Sequence, residues 1–396
     1  MFFLIGPERD DRFTETHELN PYFWLNIDPG WTCVRLGRTI QVFYKGYCLD
    51  HAWSTELCND LASDPTPRYS GSFTAVISYC DGRVAITHDV LRSYPLYWDG
   101  DKLGNIGVTG DRIPAHVYVV LSHKFVENRF LIDLNAGPLR SMDDAVEHIY
   151  QHLCQSVSWL HQSDLPIKMF FTGGIDTLTC LALLRHLGIP HEVIPYEHFD
   201  YDHFTTNFVG DLRFQEQYWG YTQIHHWRDP CILVTGGMGD EMFLRGPAAA
   251  NMVALSLGDG SIDSQLSPDD YHWHYFQRSS NTAIYRQQEQ DHKLLQQLGN
   301  RRYLTARIIN DVANDHQHWH LGNTLTFTPF KDLELLRTVL GMSAADQMAQ
   351  IRDAQLQKLL VQRLAPDLLH LLQKYKNQGI RSVWYMDQLL KRQDHA

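Results

Sequence analysis

Lys168-Met169-Phe170-Phe171-Thr172-Gly173-Gly174-Ile175-Asp176-Thr177-Leu178-Thr179-Cys180 is the stretch on which the reading of this chain turns. Its start, Ile167 to Phe171, is short, apolar and preceded by Pro166, which predicts a buried strand. Two glycines and two hydroxyl residues then arrive between Thr172 and Thr177. Leu178, Leu181, Leu183 and Leu184 recur at helical spacing, and Gly188-Ile189-Pro190 ends the helix. Strand, glycine turn and helix start together form an anion cradle. Glycines let the backbone approach a phosphate, and the free N–H groups of the turn and the helix start carry partial positive charge. No Gly-Lys-Ser/Thr follows, so this is not a Walker A loop. By itself the pattern also fits an ordinary strand-to-helix turn of an α/β domain.

The same grammar returns in Pro230-Cys231-Ile232-Leu233-Val234-Thr235-Gly236-Gly237-Met238-Gly239-Asp240-Glu241-Met242-Phe243-Leu244-Arg245. A buried strand again runs into a glycine turn, and this turn presents acids. His191-Glu192-Val193-Ile194-Pro195-Tyr196 reads as a further parallel strand. In open parallel sheets, ligands sit beyond the carboxyl ends of the strands. Asp176 and Asp240 are both expected at such ends. Residues 261–297 and 303–314 read as glutamine-rich helices, and Phe214 to Gly220 as another.

Residues 1–138 read differently. Thr32 to Leu36 and Thr39 to Tyr44, joined by Gly37-Arg38, predict a hairpin. Gly71 to Tyr79 and Arg83 to His88, joined by Cys80-Asp81-Gly82, predict another, because Asp-Gly between β-branched runs is a strong turn signal. Val117 to Leu121 and Phe130-Leu131-Ile132 add strands. Ser141 is a good helix N-cap with Asp143 and Asp144 behind it, and Ala145, Ile149, Leu153, Val157 and Leu160 form an apolar stripe. The expected boundary lies near Gly137 to Ser141, giving a β-rich domain over 1–138 and a parallel-sheet α/β domain over 139–396.

At 396 residues the chain has ample length for two cores, and 44% apolar with 20% charged residues is the balance of a soluble protein. No apolar run reaches the roughly 18 to 20 residues that span a bilayer, and Met1 to Gly6 lacks a signal peptide's basic flank. Seven scattered cysteines without C-x-x-C spacing imply reduced thiols and a cytoplasmic setting. A formal charge of −12 opposes non-specific contact with nucleic acid. The 22 histidines, densest at His225-His226, His272 to His274 and His316 to His320, match no metal-ligand framework and read as surface or packing residues.

Several motifs carry a resemblance. Thr172-Gly173-Gly174-Ile175-Asp176-Thr177 has the form hydroxyl-Gly-Gly-x-Asp-hydroxyl and resembles the PP-loop of the ATP pyrophosphatase superfamily (adenine nucleotide α-hydrolase-like). Thr235, Gly236, Asp240, Glu241 and Phe243 fall on the second signature of asparagine synthetases, Ser-Gly-Glu-Gly-x-Asp-Glu-x-Phe. Gly71 to Trp98 is similar to the amino-terminal glutaminase, or Ntn-hydrolase-like, domain of the same family, ending in Asp89 and Tyr94-Pro95-Leu96-Tyr97-Trp98. Asn323 to Leu336 resembles a late strand-and-helix element, and Lys374-Tyr375-Lys376-Asn377-Gln378-Gly379 a carboxy-terminal lysine loop. The resemblance implies ATP bound by Phe171, Thr172, Gly173, Gly174, Asp176, Thr177, Ile194, Thr235 and Gly236. It also implies Mg²⁺ on Asp176 and Asp240, and catalysis by Asp240, Glu241 and Lys376, with Lys374 as the alternative lysine.

Two departures redirect the expected chemistry. The family's glutaminases use a cysteine at position 2, where this chain has Phe2, and the first cysteine is Cys33, inside a strand. The N-terminal region is therefore expected to be a degenerate glutaminase-like domain without glutaminase activity. The second signature's glutamate is replaced by Gly237, which argues against asparagine formation. In that logic the chain resembles β-lactam synthetases and lasso-peptide cyclases, which pair the same adenylating domain with other amines and a dead glutaminase domain. The expected function is adenylation of a small-molecule or peptide carboxylate with release of pyrophosphate, followed by transfer to ammonia or another amine. Adenylation of a nucleobase, as in tRNA modification, and nucleotide binding without catalysis are the alternatives. No membrane partner is expected, nucleic acid is disfavoured, and a homodimer is among the expected assemblies.

Overall fold

The hairpin signals of the first third become two antiparallel sheets in the computed structural model. It describes residues 3–13, 15–50, 54–91, 93, 96–105, 108, 110–113, 117–122, 125–129, 138–171, 173–195, 230–245 and 324–371. The strands are β1 (Phe3–Gly6), β2 (Glu15–Asn20), β3 (Phe23–Ile27), β4 (Thr32–Leu36), β5 (Ile40–Cys48), β6 (Gly71–Tyr79), β7 (Val84–His88), β8 (Tyr97–Trp98), β9 (Leu103–Gly104), β10 (Asp111–Arg112), β11 (Val117–Leu121) and β12 (Phe125–Arg129). Among the described residues one sheet runs β10-β8-β9-β1-β3-β2 and the other β12-β11-β7-β6-β5-β4. Both predicted hairpins form: Leu36 pairs with Ile40 across Gly37, and Ser78 with Val84 across the Asp81-Gly82 turn. Gly37 and Gly82 take the left-handed φ (62° and 83°) that such tight turns need. The strand expected at Phe130 to Ile132 lies outside the described residues.

Alternation along the strands fixes the layers. Phe3, Ile5, Leu25 and Ile27 of the first sheet meet Phe43, Val76, Val84, Ile86, Val117 and Val119 of the second in one core. The other face of the second sheet, through Val42, Phe73, Ala75, Ile77 and Ala85, receives Leu57, Cys58 and Leu61 of helix α1 (Thr55–Ser63). Covered on both faces, β6 is buried along nearly its whole length. Its polar residues Ser72, Thr74 and Ser78 are therefore buried along with its apolar ones. Cys33 lies on edge strand β4 and its side chain is exposed.

The later region holds α2 (Met142–Val157), β13 (Ile167–Phe171), α3 (Ile175–His186), β14 (Glu192–Pro195), β15 (Cys231–Val234), α4 (Gly239–Met242), β16 (Thr324–Phe327), α5 (Leu333–Leu340), α6 (Ala344–Asp353) and α7 (Gln355–Leu364). Ser141 caps α2 by accepting from Asp144 N at 3.2 Å, and all five residues of the expected stripe are buried. The four described strands are parallel in the order β14-β13-β15-β16. The chain moves to one side of β13 for β14 and to the other for β15, so the order reverses between β13 and β15. A crevice opens at such a switch point, at the strands' carboxyl ends. Helix α3 is buried almost all round, between the sheet and α7, and it ends at Gly188 (φ 66°). There Ile189 N bonds Leu184 O, the 6→1 closure of a Schellman motif.

The two regions share a core. Tyr47, Leu49, Val90 and Leu91 from the antiparallel part pack with residues of α2, α3 and α5. The segment between β16 and α5 docks by its backbone: Gly71 N donates to Lys331 O at 3.0 Å, and Leu333 N to Ser70 Oγ at 3.3 Å. No helix among the described residues is long and apolar enough to cross a membrane.

Candidate active site

Beyond the end of β13, Gly173 adopts φ 81°, a left-handed conformation open to glycine at no steric cost, and turns the chain into α3. Gly174 is the N-cap and offers no side chain; Thr177 Oγ1 donates to its carbonyl at 3.1 Å. Asp176 therefore stands in the first turn of α3, where the helix dipole favours an acid. Beyond β15, Thr235 is buried, with its carbonyl accepting from the Cys180 thiol at 3.3 Å and its N–H donating to Phe327 O at 2.9 Å. Gly236, Gly237 and Met238 then turn the chain into the short helix α4, whose first turn carries Asp240 and Glu241.

The two turns interlock through glycine. A Cβ on Gly236 would stand 2.6 Å from Thr177 N, and one on Gly239 would stand 2.4 Å from Asp176 Oδ1. Any side chain at either place would push the turns apart. Met238 sits at φ 67°, a left-handed conformation that glycine adopts freely. Thr328, just after β16, supports the turn from below: its Oγ1 donates to Gly237 O at 2.7 Å. Thr328 is in turn held by Tyr47, whose hydroxyl bonds Thr328 O at 2.9 Å and Thr328 N at 3.1 Å. The antiparallel region thus braces the second glycine turn.

Asp176 and Asp240 come together on one guanidinium. Arg245 Nη1 lies 3.0 Å from Asp176 Oδ1, and Nη2 lies 3.2 Å from Asp240 Oδ1. Gln357 of α7 completes the arrangement, accepting from Arg245 Nη1 at 2.9 Å and donating to Asp176 Oδ1 at 2.6 Å. Gln350 of α6 then fixes Gln357: its Nε2 donates to Gln357 Oε1 at 3.1 Å, and its Oε1 accepts from Leu356 N at 2.8 Å. Arg245 returns to Asp240 because Leu244 takes a left-handed φ of 59° and Arg245 N bonds Asp240 O.

Asp240 holds its proton above the usual carboxylate range. The chief cause is the loss of water to the recess walls, then the negative Asp176 beside it, with Arg245 opposing. More than half of its side chain (54%) still meets solvent, which moderates that push. For Arg245, burial works against the charged form, but Asp176 and then Asp240 more than offset it, so the guanidinium stays firmly charged.

Of the expected site residues, Gly173, Gly174, Asp176, Thr177, Thr235, Gly236, Asp240 and Glu241 lie in the turns and helix starts that follow β13 and β15. Phe171 ends β13, half-buried, and Ile194 pairs with Phe170 from β14. Thr172, Lys374 and Lys376 lie outside the described residues. Arg245 and Gln357 were not singled out from the sequence. Arg245 had a signal, a cation in the same glycine-turn segment as two acids, whereas Gln357 is brought in by a helix far along the chain. Asp176 and Asp240 are hard oxygen donors of the kind Mg²⁺ takes alongside phosphate oxygens, and they meet on Arg245; among the described residues no group of three or more His, Cys, Asp or Glu side chains could hold a metal ion by itself. No family model and no curated protein matches the chain.

Proposed function

We propose that the protein is an ATP-dependent amide-forming synthetase. It adenylates a carboxylate with release of pyrophosphate and passes the acyl group to ammonia or another amine. On this reading residues 139–396 are a PP-loop ATP pyrophosphatase domain and residues 1–138 a degenerate glutaminase-like domain. One observation carries it: neighbouring parallel strands at a switch point each end in a glycine turn, and the turns bring Asp176 and Asp240 to a single cation.

The phosphates lie on the Gly173-Gly174 turn and the start of α3, where N–H groups and the helix dipole meet negative charge. Asp176 and Asp240 are the residues that would hold Mg²⁺, which when bound neutralises charge on the phosphates. A carboxylate oxygen of the substrate attacks the α phosphorus, the bond to the bridging oxygen breaks, and pyrophosphate leaves with that electron pair. Arg245, and by resemblance Lys376, meet the charge that builds on the leaving group. The amine then attacks the acyl carbon, AMP departs, and the amine's proton passes to a base, for which Glu241 is the acid on hand.

Glutamine is not the expected nitrogen source. The Cys58, Cys154 and Cys180 thiols are pushed above their ordinary range chiefly by burial, Cys58 to about 11, which disfavours their thiolates. The decisive experiment is ATP–pyrophosphate exchange screened over carboxylic acids and RNA. Exchange with a carboxylic acid, and AMP as the labelled product of α-labelled ATP, is the expected result. Exchange with RNA alone would move the reading to nucleobase adenylation. ADP as the only labelled product would end it.

A further inference from the structure

A site meant for a divalent cation already contains a cation of its own. Arg245 is 13% exposed, lies between Asp176 and Asp240, and is fixed by Gln357, itself fixed by Gln350. Two non-glycine residues, Met238 and Leu244, adopt left-handed backbone on either side of α4, and Leu244 directly precedes the arginine. Such conformations cost energy and persist where the surroundings hold them, commonly at functional sites. The Gly239 backbone runs close beside the Asp176 carboxylate, since a Cβ there would stand 2.4 Å from Oδ1.

We propose that Arg245 is the resident counter-charge of the Asp176/Asp240 pair. The site therefore excludes a free divalent cation and admits one only together with a nucleoside triphosphate, whose phosphates become the guanidinium's new partner. The inference rests on the nucleotide reading above. Its physics is simple. A dication approaching the two carboxylates meets a positive charge a few ångströms away, and with Arg245 and Asp176 largely buried that repulsion is only partly screened. Phosphate oxygens remove that obstacle, since a guanidinium pairs with phosphate as well as with carboxylate. The consequence is ordered entry: metal and nucleotide arrive as one complex.

The test uses the full chain and Mn²⁺, followed by the loss of the free-ion paramagnetic resonance signal. Wild type should bind Mn²⁺ alone weakly. Arg245→Gln should bind it about 10-fold more tightly or better, because the repelling charge is gone. Measured against a protein-free control, because the analogue itself binds Mn²⁺, adding α,β-methylene-ATP should increase the Mn²⁺ held by wild type and erase most of that advantage. Asp176→Asn placed on Arg245→Gln should abolish the gain. If Arg245→Gln does not fold, Arg245→Met, which keeps the apolar stem, gives the same readout. Mn²⁺ affinity unchanged or weakened on removing the charge would overturn the proposal, as would a gain that survives Asp176→Asn. Failure of the nucleotide reading looks different: wild type would show neither analogue-dependent Mn²⁺ binding nor pyrophosphate exchange with any acid.

Discussion

A methyl group on Gly239 would stand 2.4 Å from Asp176 Oδ1. Gly239→Ala must therefore displace the acid or lift the turn. Pyrophosphate exchange should fall about 100-fold, the loss typical of a reacting group misplaced by an ångström. Thermal melting should show only the modest cost of local overpacking. Asp176→Asn and Asp240→Asn should each abolish exchange, and the double variant should lose little more, because groups acting as one unit are not additive. A fully active Asp240→Asn would remove the second glycine turn from the site. Single-residue chemistry was legible where the sequence repeats a pattern: Asp176 and Asp240 each follow a strand and glycines. The partners that complete the pair were less so. Arg245 reaches Asp240 only through a left-handed Leu244, and Gln357 only through the packing of α7 on α3, neither of which local patterning encodes.

Helix α2 shows how far local rules carry at the scale of an element. Its N-cap, acidic first turn and buried stripe all follow from residues a few positions apart, and each forms as the sequence implies. Ser141→Ala removes the side-chain acceptor for Asp144 N and should cost about 1 kcal/mol, measured by denaturant melting. No shift in midpoint would mean that the helix start is held by its packing and by the bond from Arg140 N to Gly341 O alone. The hairpins were equally legible, because Gly37 and the Asp81-Gly82 turn set register on the spot. Strand order was not. That β15 lies beside β13, with β14 displaced to the far side, depends on crossovers that no short motif specifies. The sequence predicted two glycine turns on parallel strands; their adjacency is a property of the sheet.

Across the whole molecule, charged groups are sealed where the antiparallel and parallel regions meet, and they tie stability to pH. Lys331 is fully buried, with Nζ donating to Ser72 Oγ at 3.4 Å. It opposes the burial that pushes the Asp89 carboxyl up to about 6. Asp89 in turn accepts from Phe73 N at 3.2 Å and Ser93 N at 3.1 Å. On the other side of the segment, His152 of α2 bonds the Asp332 carboxylate, whose other oxygen caps α5 at Glu334 N (2.8 Å). Asp332 raises the His152 pKa above its ordinary 6.5, outweighing burial. Both groups favour the fold at lower pH. Between 3.8 and about 6 the folded chain keeps a proton on Asp89 that the unfolded chain has released, so stability declines as pH rises through that window. His152 contributes fully below pH 6.5, and its contribution is lost as pH rises through its higher folded value. Melting temperature should therefore fall from pH 5 to pH 8. His152→Gln keeps a donor for Asp332 but cannot titrate, so it should flatten the decline above pH 6.5 and leave the Asp89 portion in place. An unchanged slope above pH 6.5 in that variant would show that the His152–Asp332 bond does not couple the junction to protonation.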